Sequence, residues 1–227
     1  MKRRMRLRRN ASRLLHLGLV LLLVGAGIAL CLLIASLPRG AGLAPAVAAA
    51  VPASGVESEL TAVLLSFRGY DTLLEMTVLT AALAGVWSLG PAPRLRVSLP
   101  GAVLLGMNRT LLPVVILISG YLLWAGGAQA GGAFQAGAVL AAAGVLLLLA
   151  GATVPDRLRG PPVRAVVIIG LAAYLAVALG VMRDGRRFLE YPATGAGVLM
   201  LAIEAACALS IAAILAGMLA GGRPGES

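Results

Sequence analysis

The chain has 227 residues, 60% of them apolar and 12% charged, with a net charge of +10 and a mean hydropathy of +0.97. Soluble domains are about half apolar and about a quarter charged, so this composition excludes a soluble globular protein. It predicts an all-α integral membrane helical bundle, and the positive charge then reflects Lys and Arg gathered in short cytoplasmic loops rather than nucleic-acid binding.

Lys2, Arg3, Arg4, Arg6, Arg8, Arg9 and Arg13 form a basic cluster that resists translocation and meets anionic lipid. Residues 14–37 are an uncharged apolar run, enough to cross a hydrocarbon core of about 30 Å at about 1.5 Å per residue. The apolar core of a signal peptide is about 7 to 15 residues, so the run reads as an uncleaved span. Residues 38–56, rich in Pro, Ala and Gly with Arg39, show no helical periodicity and read as a flexible extracytoplasmic loop. Residues 57–70 are too short to span and read as interfacial or re-entrant, with Gly69 permitting a sharp turn into a helix from about 72 to 89.

That turn brings Arg68, Asp71 and Glu75 to the mouth of an apolar segment, where an ionised side chain pairs, caps a helix or lines an ion path. Thr72 and Glu75 have the spacing of a capping box, and Arg68 is close enough in sequence to pair with either acid. The residues leave these readings open.

The stretch resembles a segment near the end of the large subunit of Mrp-type multisubunit sodium/proton antiporters, found also in membrane-bound hydrogenases. Phe67, Arg68, Gly69, Asp71, Thr72, Glu75, Val78 and Leu79 carry the match; Ser66 stands where that family usually has an acid, and Leu74 where it has Gly.

Pro91, Pro93 and Pro100 punctuate a basic loop with Arg94, Arg96 and Arg109. A third helix, about 110 to 125, has Pro113 one turn in, where a missing N–H costs little, and interfacial Tyr121 and Trp124 at its far end. A glycine-rich stretch, 126–137, leads into a helix reaching about 153. Gly137, Gly144 and Gly151 recur every seven residues and so predict one face for close helix packing; no P-loop Lys or Ser/Thr follows them. After a loop with Asp156, Arg157, Arg159 and Arg164, a fifth helix runs from about 163 to 182. A sixth runs from about 193 to 219, with Glu204 near its middle.

From about Asn108 onward the chain resembles the MnhB-type subunit of the same antiporters, a small four-span protein. Arg109, Thr110 and Pro113 match its Arg-Thr-hydrophobic-Pro helix, and 130–137, with Phe134 and Gln135, match its Pro-Gly-Gly-Gly-Phe-Gln-Gly-Gly turn. Gly195, Gly197, Glu204 and Leu209 match part of its closing helix. The order suggests the tail of the large subunit fused to an MnhB-type subunit, in three parts. These are 1–56 (basic segment, span and loop), 57–100 (like the large-subunit tail, one span) and 101–227 (MnhB-like, four helices).

About six transmembrane helices with both termini cytoplasmic place every Lys and Arg inside except Arg39, Arg68, Arg183, Arg186 and Arg187. The resemblance implies a subunit of a multisubunit cation/proton antiporter or related energy-converting complex in a bacterial-type cytoplasmic membrane. Its partners are other membrane subunits, its medium the lipid bilayer, and its transported ions Na+ and H+. Glu75 and Glu204, with Asp71 and Arg68, are then the ion-translocation candidates. The rival is a scaffold in which both acids serve packing. His16 is the single histidine and there is no CxxC, so neither a haem pair, a metal cage nor an enzymatic triad is expected, and no cofactor.

Overall fold

The structure, a computed structural model, describes residues 2–36, 42–90, 101–152, 160–183, 185–192 and 194–221, with side chains from His16 onward. Arg39, the basic loop with Arg94 and Arg96, and the loop with Asp156, Arg157 and Arg159 lie outside the described residues. The chain divides into two units, Met1–Pro45 and Ala46–Ser227.

In the first unit, α1 (Lys2–Ser36) starts inside the basic cluster, and its stretch His16–Ser36 is long and apolar enough to cross a membrane. Arg and Leu are both good helix formers, so the helix does not wait for the apolar run.

The second unit begins within α2 (Ala44–Ala50), which continues into a 3₁₀ turn, Val51–Ala53. The expected irregular loop is therefore partly helical: alanine favours helix without any periodic apolar face. The Ser54 hydroxyl closes the turn on the Val51 carbonyl at 2.7 Å. Next come α3 (Glu59–Thr61), capped by the Ser58 hydroxyl, and a π-helical turn, Ala62–Phe67, in which the Arg68 N–H reaches the Val63 carbonyl at 2.7 Å.

The helix α4 (Gly69–Ser88) begins three residues before Thr72, so Thr72 and Glu75 lie inside it and form no capping box. Its start is set by packing. The Tyr174 hydroxyl donates to the Gly69 carbonyl at 2.9 Å, and a Cβ on Gly69 would lie 3.2 Å from that hydroxyl and 3.0 Å from Leu189 Cδ1. Gly69 thus serves close approach rather than a sharp turn.

The remaining helices are α5 (Ala102–Ala125), α6 (Ala133–Leu149), α7 (Pro161–Met182) and α8 (Ala196–Ala220). Pro113 lies well inside α5 rather than in its first turn. There it deprives the Arg109 carbonyl of a partner, a cost that membrane helices absorb through their neighbours. Gly151 is not on α6: the helix stops at Leu149, and Gly151 takes φ +78° in the turn that ends it.

The core forms around α8, whose Met200, Ile203, Cys207 and Ile211 are buried with Met76 of α4 and Tyr174 of α7. Small residues set the spacing. A Cβ on Gly137 of α6 would fall 2.8 Å from Ile211 Cβ and 2.9 Å from the Ala208 carbonyl; one on Gly144 would fall 3.3 Å from Ala216 Cβ. Gly170 of α7 similarly backs onto Cys207 Cα, and the Ser210 hydroxyl bonds the Val167 carbonyl.

Among the described residues, four helices are long and apolar enough to span: the His16–Ser36 stretch, α5, α7 and α8. Of the other two expected spans, α4 has 20 residues but carries Asp71 and Glu75. The 17 residues of α6 reach roughly 26 Å at about 1.5 Å per residue, short of a core of about 30 Å. The molecule is a helical membrane bundle with one shortened helix, and that shortening creates the site.

Candidate polar site inside the bundle

Glu204 lies about a third of the way along α8, roughly 12 Å from its start at about 1.5 Å per residue, rather than at its middle. It is 7% exposed. Its carboxylate accepts the backbone N–H of Ala133, the first residue of α6, so an acid on one helix occupies the N-terminal end of another. Unsatisfied N–H groups and the helix dipole favour negative charge at such an end. Gly132, at φ +105°, lets the backbone come this close: a Cβ there would sit 2.7 Å from Glu204 Oε1.

Because α6 starts level with Glu204, the glycine turn before it also lies inside the bundle, and irregular backbone there must find partners within the protein. It does so. The N–H groups of Gly126 and Gly132 both reach the Leu122 carbonyl, at 3.2 and 2.9 Å. The Gly127 carbonyl accepts the N–H groups of Glu57 and Ser58, each at 3.0 Å, and the Gly126 carbonyl accepts the Thr61 hydroxyl. Residues 57–61, the start of the stretch 57–70 read as interfacial or re-entrant, thus supply donors to the glycine turn. The Ser119 hydroxyl of α5 bonds the Ala136 carbonyl at 2.8 Å and fixes the first turn of α6.

Between these parts lies a cavity of about 20 Å³, lined by Thr61, Leu64, Leu65 and Thr72 on one side and by residues 131–135, Ile203, Glu204 and Cys207 on the other. Phe134 packs on the core and Gln135 is exposed at the bundle surface. The Thr72 hydroxyl donates to the Leu64 carbonyl at 2.7 Å, within the π-helical turn, a distortion frequent at functional sites.

Of the residues singled out in the sequence, Glu204, Phe134 and Gln135 meet at this cavity, whereas Arg68, Asp71 and Glu75 do not line it. Arg68 and Asp71 form an ion pair in which the Arg68 side chain is largely exposed and that of Asp71 about half-buried, and Glu75 is exposed on α4. Sequence reasoning misses Thr61 and Thr72 as site residues. The spacing of Thr72 points to a cap, and a lone hydroxyl such as Thr61 gives no periodic signal. Among the described residues no cluster of His, Cys, Asp and Glu could hold a metal ion.

Helices of spanning length around a buried carboxylate beside a small cavity define a multi-pass membrane protein with an acid inside the bundle. The chain belongs to the family of domains related to the MnhB subunit of Na+/H+ antiporters, whose family model matches residues 103–221, the region of α5 to α8. No curated protein sequence matches the chain.

Two solved assemblies share the fold. One is the Mrp complex from Dietzia sp. DQ12-45-1b, at TM-score 0.66 and 21% identity over 95% of this chain; the match spans only 26% of the Dietzia chain. The other is the membrane-bound sulfane sulfur reductase, an archaeal respiratory membrane complex, at TM-score 0.66 and 23% identity over 91% of this chain and 97% of that one.

Proposed function

We propose that this chain is a membrane subunit of a multisubunit cation/proton antiporter-type complex, with a role in transport rather than catalysis. Glu204 would contribute to transfer of the cation or proton. The observation that carries this reading is a carboxylate 7% exposed, within an apolar span, facing a helix N-terminus and a small cavity. Burying an acid in such surroundings is costly, so intramembrane acids belong by default to ion paths or proton relays. The family membership of residues 103–221 supports the same reading.

Glu204→Gln keeps the shape and removes the charge. The complex is expected to assemble with normal subunit content and to lose cation/proton exchange in everted vesicles. Unchanged rate and pH dependence would reassign Glu204 to packing.

Glu75, with the Arg68–Asp71 pair, would act where α4 meets a neighbouring subunit, because all three side chains lie at the surface of this unit. The division into a segment 57–100 akin to the large-subunit tail and an MnhB-like part 101–227 is part of the proposal. Its support is that the family model begins at residue 103, after the stretch 67–79 that carries the other resemblance.

The membrane would be a cytoplasmic one, with both termini cytoplasmic and 38–71 outside, on the distribution of Lys and Arg. Reporter fusions at Gly55 and Ser227 are expected to report outside and inside respectively; a cytoplasmic Gly55 signal overturns this orientation. The likeness to the sulfane sulfur reductase complex favours a second reading, a structural scaffold in a respiratory-type complex. Under it Glu204→Gln would impair assembly before exchange.

A further inference from the structure

We infer that the groove between the start of α5 and the end of α6 seats an anionic glycerophospholipid, its phosphate on the Arg109 guanidinium and an acyl chain along Gly106. The inference goes beyond the transport reading and does not depend on it.

The groove has a volume of about 670 Å³ and lies at the opposite end of α6 from Glu204. Cavities of about 300 to 1,000 Å³ hold organic molecules rather than a lone ion or water. Leu105, Gly106, Asn108, Arg109 and Leu112 of α5 form one wall, and Leu147 with the turn 150–152 forms the other. Gly106 serves no packing contact: a Cβ there meets nothing within 4 Å, and its missing side chain widens the groove beside the leucines.

The apolar wall carries one charge. Arg109 is exposed and forms no ion pair among the described residues, and no Asp or Glu among them lines the groove. One uncompensated guanidinium suits one phosphate diester. Depth then separates a lipid phosphate from a soluble anion. The 24 residues of α5 reach roughly 36 Å at about 1.5 Å per residue, against a hydrocarbon core of about 30 Å. Arg109 is roughly 10 Å along that helix, so its backbone lies inside the hydrocarbon edge and its long side chain reaches back to headgroup level.

Asn108 supplies an independent polar signal. It is 7% exposed and lines the groove. Its Nδ2 donates to the Leu146 carbonyl at 2.9 Å, which orients the amide and leaves Oδ1 a buried acceptor with no partner. Pro113 leaves the Arg109 carbonyl without its helical donor as well. A glycerol headgroup brings a phosphate for the guanidinium and hydroxyl donors for these acceptors, whereas a choline headgroup brings no donor. The orientation proposed above puts this end of the bundle in the cytoplasmic leaflet, whose anionic lipids attract basic residues.

The test is photolabelling of the purified complex containing the full chain, in phosphatidylcholine nanodiscs with a trace of photoactivatable phosphatidylglycerol. Mass spectrometry is expected to find the label on the α5 segment that lines the groove. Excess unlabelled phosphatidylglycerol should remove it and inorganic phosphate should not. Arg109→Gln is expected to reduce labelling by roughly fivefold or more, and Arg109→Lys should keep most of it. Gly106→Leu fills the groove without touching the charge and should reduce labelling similarly. Gly120→Leu, equally unhindered and outside the lining, should change nothing. No label in the wild type would mean that a neighbouring subunit covers the groove, and overturns the site. So does equal labelling in the wild type, Arg109→Gln and Gly106→Leu. Label lost in Gly106→Leu but kept in Arg109→Gln would mark a groove with no headgroup recognition, and removal by inorganic phosphate an anion site with no lipid; either overturns the inference. None of these readouts uses cation/proton exchange, so the outcome is the same whether or not Glu204 carries the ion.

Discussion

Gly137→Leu is expected to cost the complex most of its yield in mild detergent and to lower its melting temperature clearly. The added Cβ would lie 2.8 Å from Ile211 Cβ and 2.9 Å from both Ile211 Cγ2 and the Ala208 carbonyl oxygen. None of these is the free end of a flexible chain, so relief requires α6 and α8 to separate. Overpacking of this kind costs about 1 to 3 kcal/mol, occasionally more, before the rest of the leucine is accommodated. The separation would also pull the first turn of α6 from its anchors, the Ser119–Ala136 hydrogen bond and the Ala133–Glu204 contact. Gly144→Ala, whose Cβ meets only the Ala216 methyl at 3.3 Å, should be far milder. Wild-type yield and melting in Gly137→Leu would mean that α6 and α8 do not cross this closely.

The elements most legible in the sequence are α7 and α8, whose expected bounds fall within three residues of those observed. Each is a long, predominantly apolar run between charged or Gly/Pro-rich stretches, where hydropathy places the ends to within a turn. Where tertiary contacts decide, local pattern misleads. Thr72 and Glu75 fit a capping box, yet α4 starts where Gly69 slides under Tyr174, 105 residues away in sequence. The heptad of glycines is sound at Gly137 and Gly144 but runs past the helix end at Gly151, whose own left-handed φ helps to end α6.

The site is half legible for the same reason. An acid within an apolar run stands out by its cost, so Glu204 is visible. Gln135 and Phe134 are visible through a resemblance. Thr61 and Thr72 are not, because a threonine in an apolar helix ordinarily bonds its own backbone, as Thr77 and Thr80 do here with the carbonyls of Leu73 and Met76. What distinguishes Thr61 and Thr72 is that each bonds a carbonyl beyond its own helical turn, in the glycine turn and the π-helical turn respectively. No spacing rule encodes that.

Gly132→Ala should leave the complex assembled and reduce cation/proton exchange by roughly tenfold or more, a loss equivalent to about 1.4 kcal/mol in the transport step. Two effects meet at this residue. Its φ of +105° is one that residues with a Cβ rarely adopt, at a strain of about 1 to 3 kcal/mol. Its new methyl would also lie 2.7 Å from Glu204 Oε1. The strain is tolerable for a bundle held by the buried packing of α8 on α4, α6 and α7, and the clash is with the far end of a flexible side chain. Relief therefore comes from the carboxylate, which must withdraw from the Ala133 N–H and from the cavity. The fold survives while the group proposed to carry the ion is displaced. Gly127→Ala is the matched control, since a Cβ there meets nothing within 4 Å and the turn keeps its hydrogen bonds to Glu57 and Ser58. Exchange at the wild-type rate in Gly132→Ala, with normal assembly, would show that transport does not depend on where the Glu204 carboxylate sits.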